Sequence, residues 1–235
     1  MNFFDRLQGV FFNPKDTFKA VAEKPVFIDT MIVLLVVIMI FSFIIMPYAQ
    51  QEQIQVLKSN VDLQERLGEE RYQQQLEFLE NPPQWFFFVF SIIGPFFATM
   101  VGFFLPPLIL LAFGRMLSTE GNYKQTLSVY LHASIVHSIF GNAVRLVLIL
   151  TRKSVMQTTT SLALFFPKME VTSTSFRVLS QFDFFQLWLF GILAFGLSSV
   201  FKINKEKALL LSYGFWFLKS LLYIGLGALG SQFGG

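Results

Sequence analysis

Residues 26–46 read VFIDTMIVLLVVIMIFSFIIM, and this stretch decides the fold. It lies between Pro25 and Pro47 and is polar only at Asp29, Thr30 and Ser42. At helical rise it covers about 31 Å, the thickness of a bilayer's hydrocarbon core. Inside lipid a single run can satisfy its own backbone N–H and C=O groups only as an α-helix, so a first membrane-spanning helix is expected here. Asp29 stands near its entry end, where a carboxylate reaches the headgroup layer and needs no functional role.

Working outward, four more apolar runs follow. Residues 85–117 are too long for one straight span and are interrupted by Gly94-Pro95 and Pro106-Pro107. Proline removes a donor and frees a carbonyl, which a membrane helix tolerates only where neighbours or water satisfy the freed groups. One long kinked helix is expected, with a re-entrant hairpin as the alternative. Broken helices often line transport sites, so Gly94, Pro95, Pro106 and Pro107 are candidate helix-break positions, although prolines also serve as plain packing kinks. Residues 127–150 form the third span, with His132, His137 and Arg145 in it. Residues 184–201 and 208–229 form the fourth and fifth, joined by the basic loop Lys202 to Lys207. The expected fold is an all-α, polytopic membrane helical bundle of about five spans, forming one domain over residues 1–235. Spans one and four read as plain anchors.

The polar segments add detail. Within residues 1–25, Phe3, Phe4, Leu7, Val10 and Phe11 share one helical face, and Asn13-Pro14 ends that helix and starts a second. Two short interfacial helices fit this pattern, either flat on the bilayer or packed under their own bundle. Residues 47–84 carry seven acidic residues against three basic ones, with Asp62–Arg66 and Arg66–Glu70 spaced to pair along one helix face. A long amphipathic helix or helical hairpin outside the membrane is expected there, with Gly68 a possible break. Residues 151–183 form a second outer loop, whose apolar island Leu162 to Phe166 is too short to span.

Composition agrees with this reading and excludes others. The 235 residues are 54% hydrophobic and 14% charged, with a mean hydropathy of +0.56, whereas a soluble domain carries roughly a quarter charged residues. The 31 phenylalanines suit lipid-facing surfaces and interfacial belts. The net charge of +3 does not indicate nucleic acid, because the basic residues lie in short loops and form no continuous patch. With no cysteine, thiolate catalysis and disulfides are excluded. The first 24 residues lack the pattern of a cleaved signal peptide, so insertion by the first span is expected.

Basic residues also give an orientation. An N-terminus on the cytoplasmic side of a plasma (inner) membrane puts Arg6, Lys15, Lys19, Lys24, Arg115, Lys124, Lys202, Lys205 and Lys207 inside, in short loops. Lys58, Arg66, Arg71, Arg152, Lys153, Lys168 and Arg177 then lie outside in longer loops, and the C-terminus ends on that opposite side.

Neither zincin, nucleophile elbow, phosphate loop nor dinucleotide fingerprint is present, so no enzyme and no cofactor are expected. His132 and His137 are five residues apart, about 140° around a regular helix, and cannot share a metal ion. They suit packing or interhelical hydrogen bonds, and an intramembrane hydrolase would need one of them to pair with a serine. Arg145 either snorkels toward Arg152 and Lys153 or needs a partner. Lys219 stands midway along span five, where a lysine costs roughly 3 kcal/mol and must find a polar cavity or a partner. Asn142 and Asn204 are partner candidates by residue type. His132, His137, Arg145 and Lys219 therefore make up the candidate intramembrane polar site.

Several stretches, in order, resemble the Yip family. They are Phe12-Asn13-Pro14-Lys15-Asp16-Thr17-Phe18 with Pro25, which looks like the entry motif of the prokaryotic branch; Gly114-Arg115 followed by Gly121-Asn122-Tyr123-Lys124-Gln125-Thr126-Leu127; and Leu187-Trp188 through Lys202 to Lys207-Ala208. One departure is Ser134-Ile135-Val136-His137-Ser138, where the family commonly has proline after a small residue. The resemblance implies a small five-span membrane protein, from a family whose eukaryotic members interact with Rab-type GTPases, and it implies no reaction. The resulting expectation is a non-enzymatic membrane scaffold or accessory subunit, in contact with membrane lipid and with a membrane-protein partner or a second copy of itself. The alternative is a small transporter, channel or lipid-handling protein that uses the Pro-broken second span and Lys219.

Overall fold

A computed structural model describes residues 1–59, 61–156, 160–171 and 173–233, with the side chains of residues 62–63 and 229–233 outside the description. The expected Asp62–Arg66 pairing thus lies outside the described residues. Helices α1 (Phe3–Phe12) and α2 (Pro14–Glu23) precede the first long helix, α3 (Ile28–Ser59). Helices α4 (Val61–Leu67) and α5 (Glu69–Glu80) follow, then α6 (Gln84–Leu117) and α7 (Tyr123–Arg152). A 3₁₀ turn at Leu162–Phe165 and helix α8 (Thr174–Gln181) lead to α9 (Phe184–Phe201) and α10 (Lys205–Phe233). Five of these, α3, α6, α7, α9 and α10, are long and apolar enough to cross a membrane, so the chain is an all-α polytopic bundle.

Helix ends follow local chemistry. Asn2 with Asp5, and Asn122 with Gln125, form reciprocal capping boxes at α1 and α7, and Asp183 caps α9. The first span does not stop at Pro47: α3 continues through it to Ser59, about 48 Å in all, so its last turns clear the bilayer. The second stretch runs as one helix through Pro106 and Pro107, with a π-helical segment at Val89–Ile93 just before Gly94-Pro95. A second π-helical segment, Val136–Gly141, interrupts α7 at the Ser134–Ser138 stretch. Both segments accommodate a shift in helix register.

Span four is the central element of the bundle and not a plain anchor. Leu189, Phe190, Ile192, Leu193, Leu197, Val200 and Phe201 of α9 are all buried. By contrast, α3 shows Ile32, Val36, Ile40 and Phe43 to the outside, and α6 shows Phe97, Val101, Leu105 and Leu108, stripes at helical spacing that suit lipid. Helices α1 and α2 are packed onto the bundle: Phe18, Val21 and Ala22 are buried beside α7 and α9, while Phe4 and Phe12 remain exposed on the outer side.

The Gly114-Arg115 and Gly121 stretch has a packing reason. The fully buried Phe201 ring lies so close to Gly114 that a Cβ there would overlap it. Gly121 has φ +87°, the left-handed region that favours glycine, and a Cβ there would come within 2.9 Å of the same ring. Arg115 holds the turn by donating to the carbonyls of Thr119 and Gly121. Gly114→Val is expected to cost about 1–3 kcal/mol by overpacking, and Phe201→Ala about 3–5 kcal/mol by leaving a cavity. The double variant should be more stable than the sum of the two losses predicts, because the valine fills part of the space the ring vacates. Thermal unfolding in detergent measures all three; strict additivity would show that the ring and Gly114 are not packed together.

Candidate functional site

The four polar residues expected inside the bundle fall into two places. His132 is fully buried toward the end where the N-terminal helices lie. Its Nδ1 is 2.8 Å from the Ser128 carbonyl, which can only accept, so Nδ1 carries the proton. Its Nε2 therefore accepts, at 3.1 Å, from Arg6 Nε on α1. The Thr30 hydroxyl lies at the same Nε2, also at 3.1 Å. Arg6 is itself buried and ion-pairs with Asp29, so that carboxylate is bound within the protein and does not simply reach for headgroups. The Arg6–Asp29–Thr30–His132 network thus joins α1, α3 and α7. Arg6 could have been suspected in the sequence: it lies among Phe3, Leu7 and Val10 on the apolar face of α1.

His137, Arg145 and Lys219 come together in the other half of the bundle, at a cavity of about 400 Å³. Asn142, Gln181, Asp183, Gln186 and Tyr223 line it with them. Asp183, 6% exposed, is the one carboxylate among these residues. Its Oδ1 accepts from the Gln186 backbone N–H at 2.9 Å, Oδ2 accepts from the Thr160 hydroxyl, and His137 Nδ1 lies 3.8 Å from Oδ1. Lys219 donates to Gln186 Oε1 at 2.5 Å and lies 5.7 Å from the centre of the Phe190 ring. Arg145 reaches the Val155 carbonyl only at 3.4 Å, and its Nε is buried without a hydrogen-bond partner, as is His137 Nδ1. Neither Arg145 nor Lys219 forms an ion pair among the described residues.

A second compartment of about 200 Å³ adjoins this one and shares His137, Gln186 and Lys219 with it. Its other walls include Ile38, Thr99, Gly102, Phe103, Leu189 and Phe190. Gly102 and Phe103 are the residues whose carbonyls lose their helical donors to Pro106 and Pro107. The prolines and Gly94 do not line either compartment; span two contributes through the residues one turn earlier. Of the two asparagines considered as partners, Asn142 lines the cavity, while Asn204 is at the far end, where its side chain accepts from the Lys207 N–H.

Asp183, Gln186 and Arg6 were not singled out from the sequence. Asp183 falls at the junction of loop and span, where an acidic residue also reads as an ordinary helix cap. Among the described residues no group of three or more His, Cys, Asp or Glu side chains is placed to hold a metal ion, and neither imidazole is hydrogen-bonded to a serine hydroxyl.

Five apolar spans around a polar cavity, with amphipathic helices packed at one end, define a multi-pass helical membrane protein. A family model, the Yip1 domain, matches residues 9–227, nearly the whole chain, and the chain belongs to that family. No curated protein and no solved structure matches it.

The N-terminal network yields a direct test. Arg6→Met removes the guanidinium from Asp29 and His132, leaving them only their Thr30 contacts, and is expected to destabilise the protein by about 2 kcal/mol. Trypsin should then cut faster at Lys15 and Lys19, which follow α1. Unchanged digestion and melting would show that the network does not hold the N-terminal helices in place.

Proposed function

We propose that this chain is a non-enzymatic membrane accessory protein that docks other membrane proteins through a helical arm outside the bilayer. The observation that supports this reading is the arm itself. The end of α3 folds back on α5 through Lys58–Glu80 at 2.6 Å and Gln50 to the Leu79 carbonyl at 2.7 Å, with Leu57 and Tyr72 buried between them. Gly68, at φ +74°, makes the corner between α4 and α5. Glu65, Arg66, Glu69, Glu70, Arg71 and Glu77 are left exposed on it.

The arm also has a fixed base. Glu52 accepts from Ser154 Oγ at 2.6 Å, the Val155 N–H at 2.7 Å and the Met156 N–H at 2.9 Å, which ties α3 to the second outer loop. A rigid, charged projection of this kind presents a surface at little cost in ordering entropy. The family's membrane role and the outward apolar faces of the spans fit the same reading. An N-terminus on the cytoplasmic side with the arm outside is supported by the basic-residue bias, and a plasma-membrane location belongs to the same proposal.

A photo-crosslinking residue at Glu70 or Arg71 should capture a defined membrane-protein partner in cells, and one at lipid-facing Leu210 should not. Reversing the charges at Glu69, Glu70 and Arg71 should abolish capture without changing membrane insertion. A chain that purifies from mild detergent as a strict monomer, with no crosslinked partner, would overturn the reading.

The cavity favours a second role, the handling of a small ligand or lipid within the bundle. Its adjoining compartment meets the proline-broken second span at Gly102 and Phe103 and shares Lys219, and reconstitution in liposomes with a flux or scrambling assay tests the role. Lys219→Met and Pro106→Ala should each reduce the measured rate, and an unchanged rate in both would remove this site from any transport path.

A further inference from the structure

We propose that the cavity between α7, α9 and α10 binds the phosphate of an anionic membrane lipid, with Arg145 and Lys219 as its cationic contacts and the lipid's chains directed toward the Ile38, Phe103, Leu189 and Phe190 walls of the adjoining compartment. This rests on the ligand-handling reading and specifies the ligand's chemistry.

Charge accounts for the sign of the ligand. Two basic side chains, Arg145 and Lys219, line a space in the membrane-spanning part of the bundle, and neither forms an ion pair among the described residues. The single lining carboxylate, Asp183, is already engaged by the α9 N-terminus, by Thr160 and by the edge of His137. With two basic groups against one carboxylate the lining carries an excess of positive charge, which is costly in a low-dielectric site, and an anion entering the cavity relieves that cost.

Donor geometry narrows the class to an oxyanion. Arg145 has its Nε buried without a hydrogen-bond partner and makes one long hydrogen bond, to Val155, with the Phe41 ring 5.9 Å from its guanidinium carbon, so most of the donors of its planar fork are unused. That fork matches the oxygens of a phosphate in a two-bond arrangement, and Lys219 adds a point charge. Asn142 and Tyr223 supply neutral donors on the same lining.

Shape and position favour a lipid as the source. The larger compartment, about 400 Å³, is within the size range of small-molecule sites. The smaller one, about 200 Å³, shares Lys219 and Gln186 with it and is walled by Ile38, Phe103, Leu189 and Phe190 on one hand and by Tyr130, Ser134 and Ser138 on the other. Two adjoining chambers with mixed polar and apolar walls in the membrane-spanning part of the bundle fit an amphiphile better than a hydrated ion.

The test uses the full-length protein in detergent micelles doped with dioleoyl phosphatidic acid, with dioleoylglycerol (the same chains without phosphate) or with inorganic phosphate. Thermal unfolding and native mass spectrometry read the binding. Phosphatidic acid is expected to raise the melting temperature and remain bound, and dioleoylglycerol to do neither. Arg145→Gln and Lys219→Gln should each weaken phosphatidic acid binding at least about tenfold, Lys219→Arg should retain it, and Lys202→Gln at the opposite end of the bundle should leave it unchanged. If either glutamine variant misfolds, the retained binding of Lys219→Arg against the loss in the other glutamine variant carries the same comparison. Stabilisation by inorganic phosphate equal to that by phosphatidic acid would overturn the lipid as source and leave a free-phosphate site. Equal binding of dioleoylglycerol, no binding at all, or undiminished binding in both glutamine variants would overturn the proposal. Phosphatidic acid binding without any flux or scrambling would support this site while defeating the handling role, and flux that is indifferent to phosphate and to both glutamine variants would do the reverse.

Discussion

The arrangement of the half of the bundle away from the N-terminal helices depends on one carboxylate. Asp183 begins the central helix α9 by accepting the Gln186 N–H, draws in the loop between α7 and α8 through Thr160, and faces His137 on α7. A cap at this position fixes where α9 starts, and so which of its residues face the other spans. A single carboxylate carries one negative charge, so Asp183 cannot neutralise both Arg145 and Lys219. Inside lipid, polar groups must be satisfied by the protein or by something the protein holds, and here the second possibility is left open by the geometry.

The opposite half of the bundle shows the contrasting solution. There Arg6, Asp29, Thr30 and His132 satisfy one another, and a cation and a carboxylate are present in equal number. His132 is confined between a carbonyl and a guanidinium N–H, which gives each of its ring nitrogens a single role. A network of this kind holds elements in register, whereas the other half, where His137 Nδ1 and Arg145 Nε face a cavity without hydrogen-bond partners, is suited to taking a ligand. The two histidines, five residues apart, are divided between these tasks by rotation around α7 and by the π-helical segment that begins at Val136.

Much of the fold was legible because hydropathy over 18 or more residues is a strong signal and bilayer thickness fixes the length. Span four shows where that signal fails. Residues 184–201 are apolar all round, and lipid tails are as apolar as a protein core, so the sequence does not distinguish a lipid-facing anchor from the helix at the centre. Of the polar residues, Lys219 was legible because its cost at mid-membrane is independent of its neighbours. Asp183 and Gln186 were not, since each is ordinary at a helix start and gains meaning only from Lys219, which lies more than thirty residues further along the chain.

The arm and the cavity are not independent parts. Val155 donates its N–H to Glu52 at the base of the arm and accepts, through its carbonyl, the one long contact made by Arg145. One residue therefore connects the element proposed to meet a partner with the cation proposed to meet a phosphate. The contact on the arm side is short and charge-assisted at 2.7 Å, and the one on the cavity side is weak at 3.4 Å, so the loop follows the arm more firmly than it holds the arginine. Arg145 can thus turn toward a ligand at small cost without disturbing the base on which the arm stands.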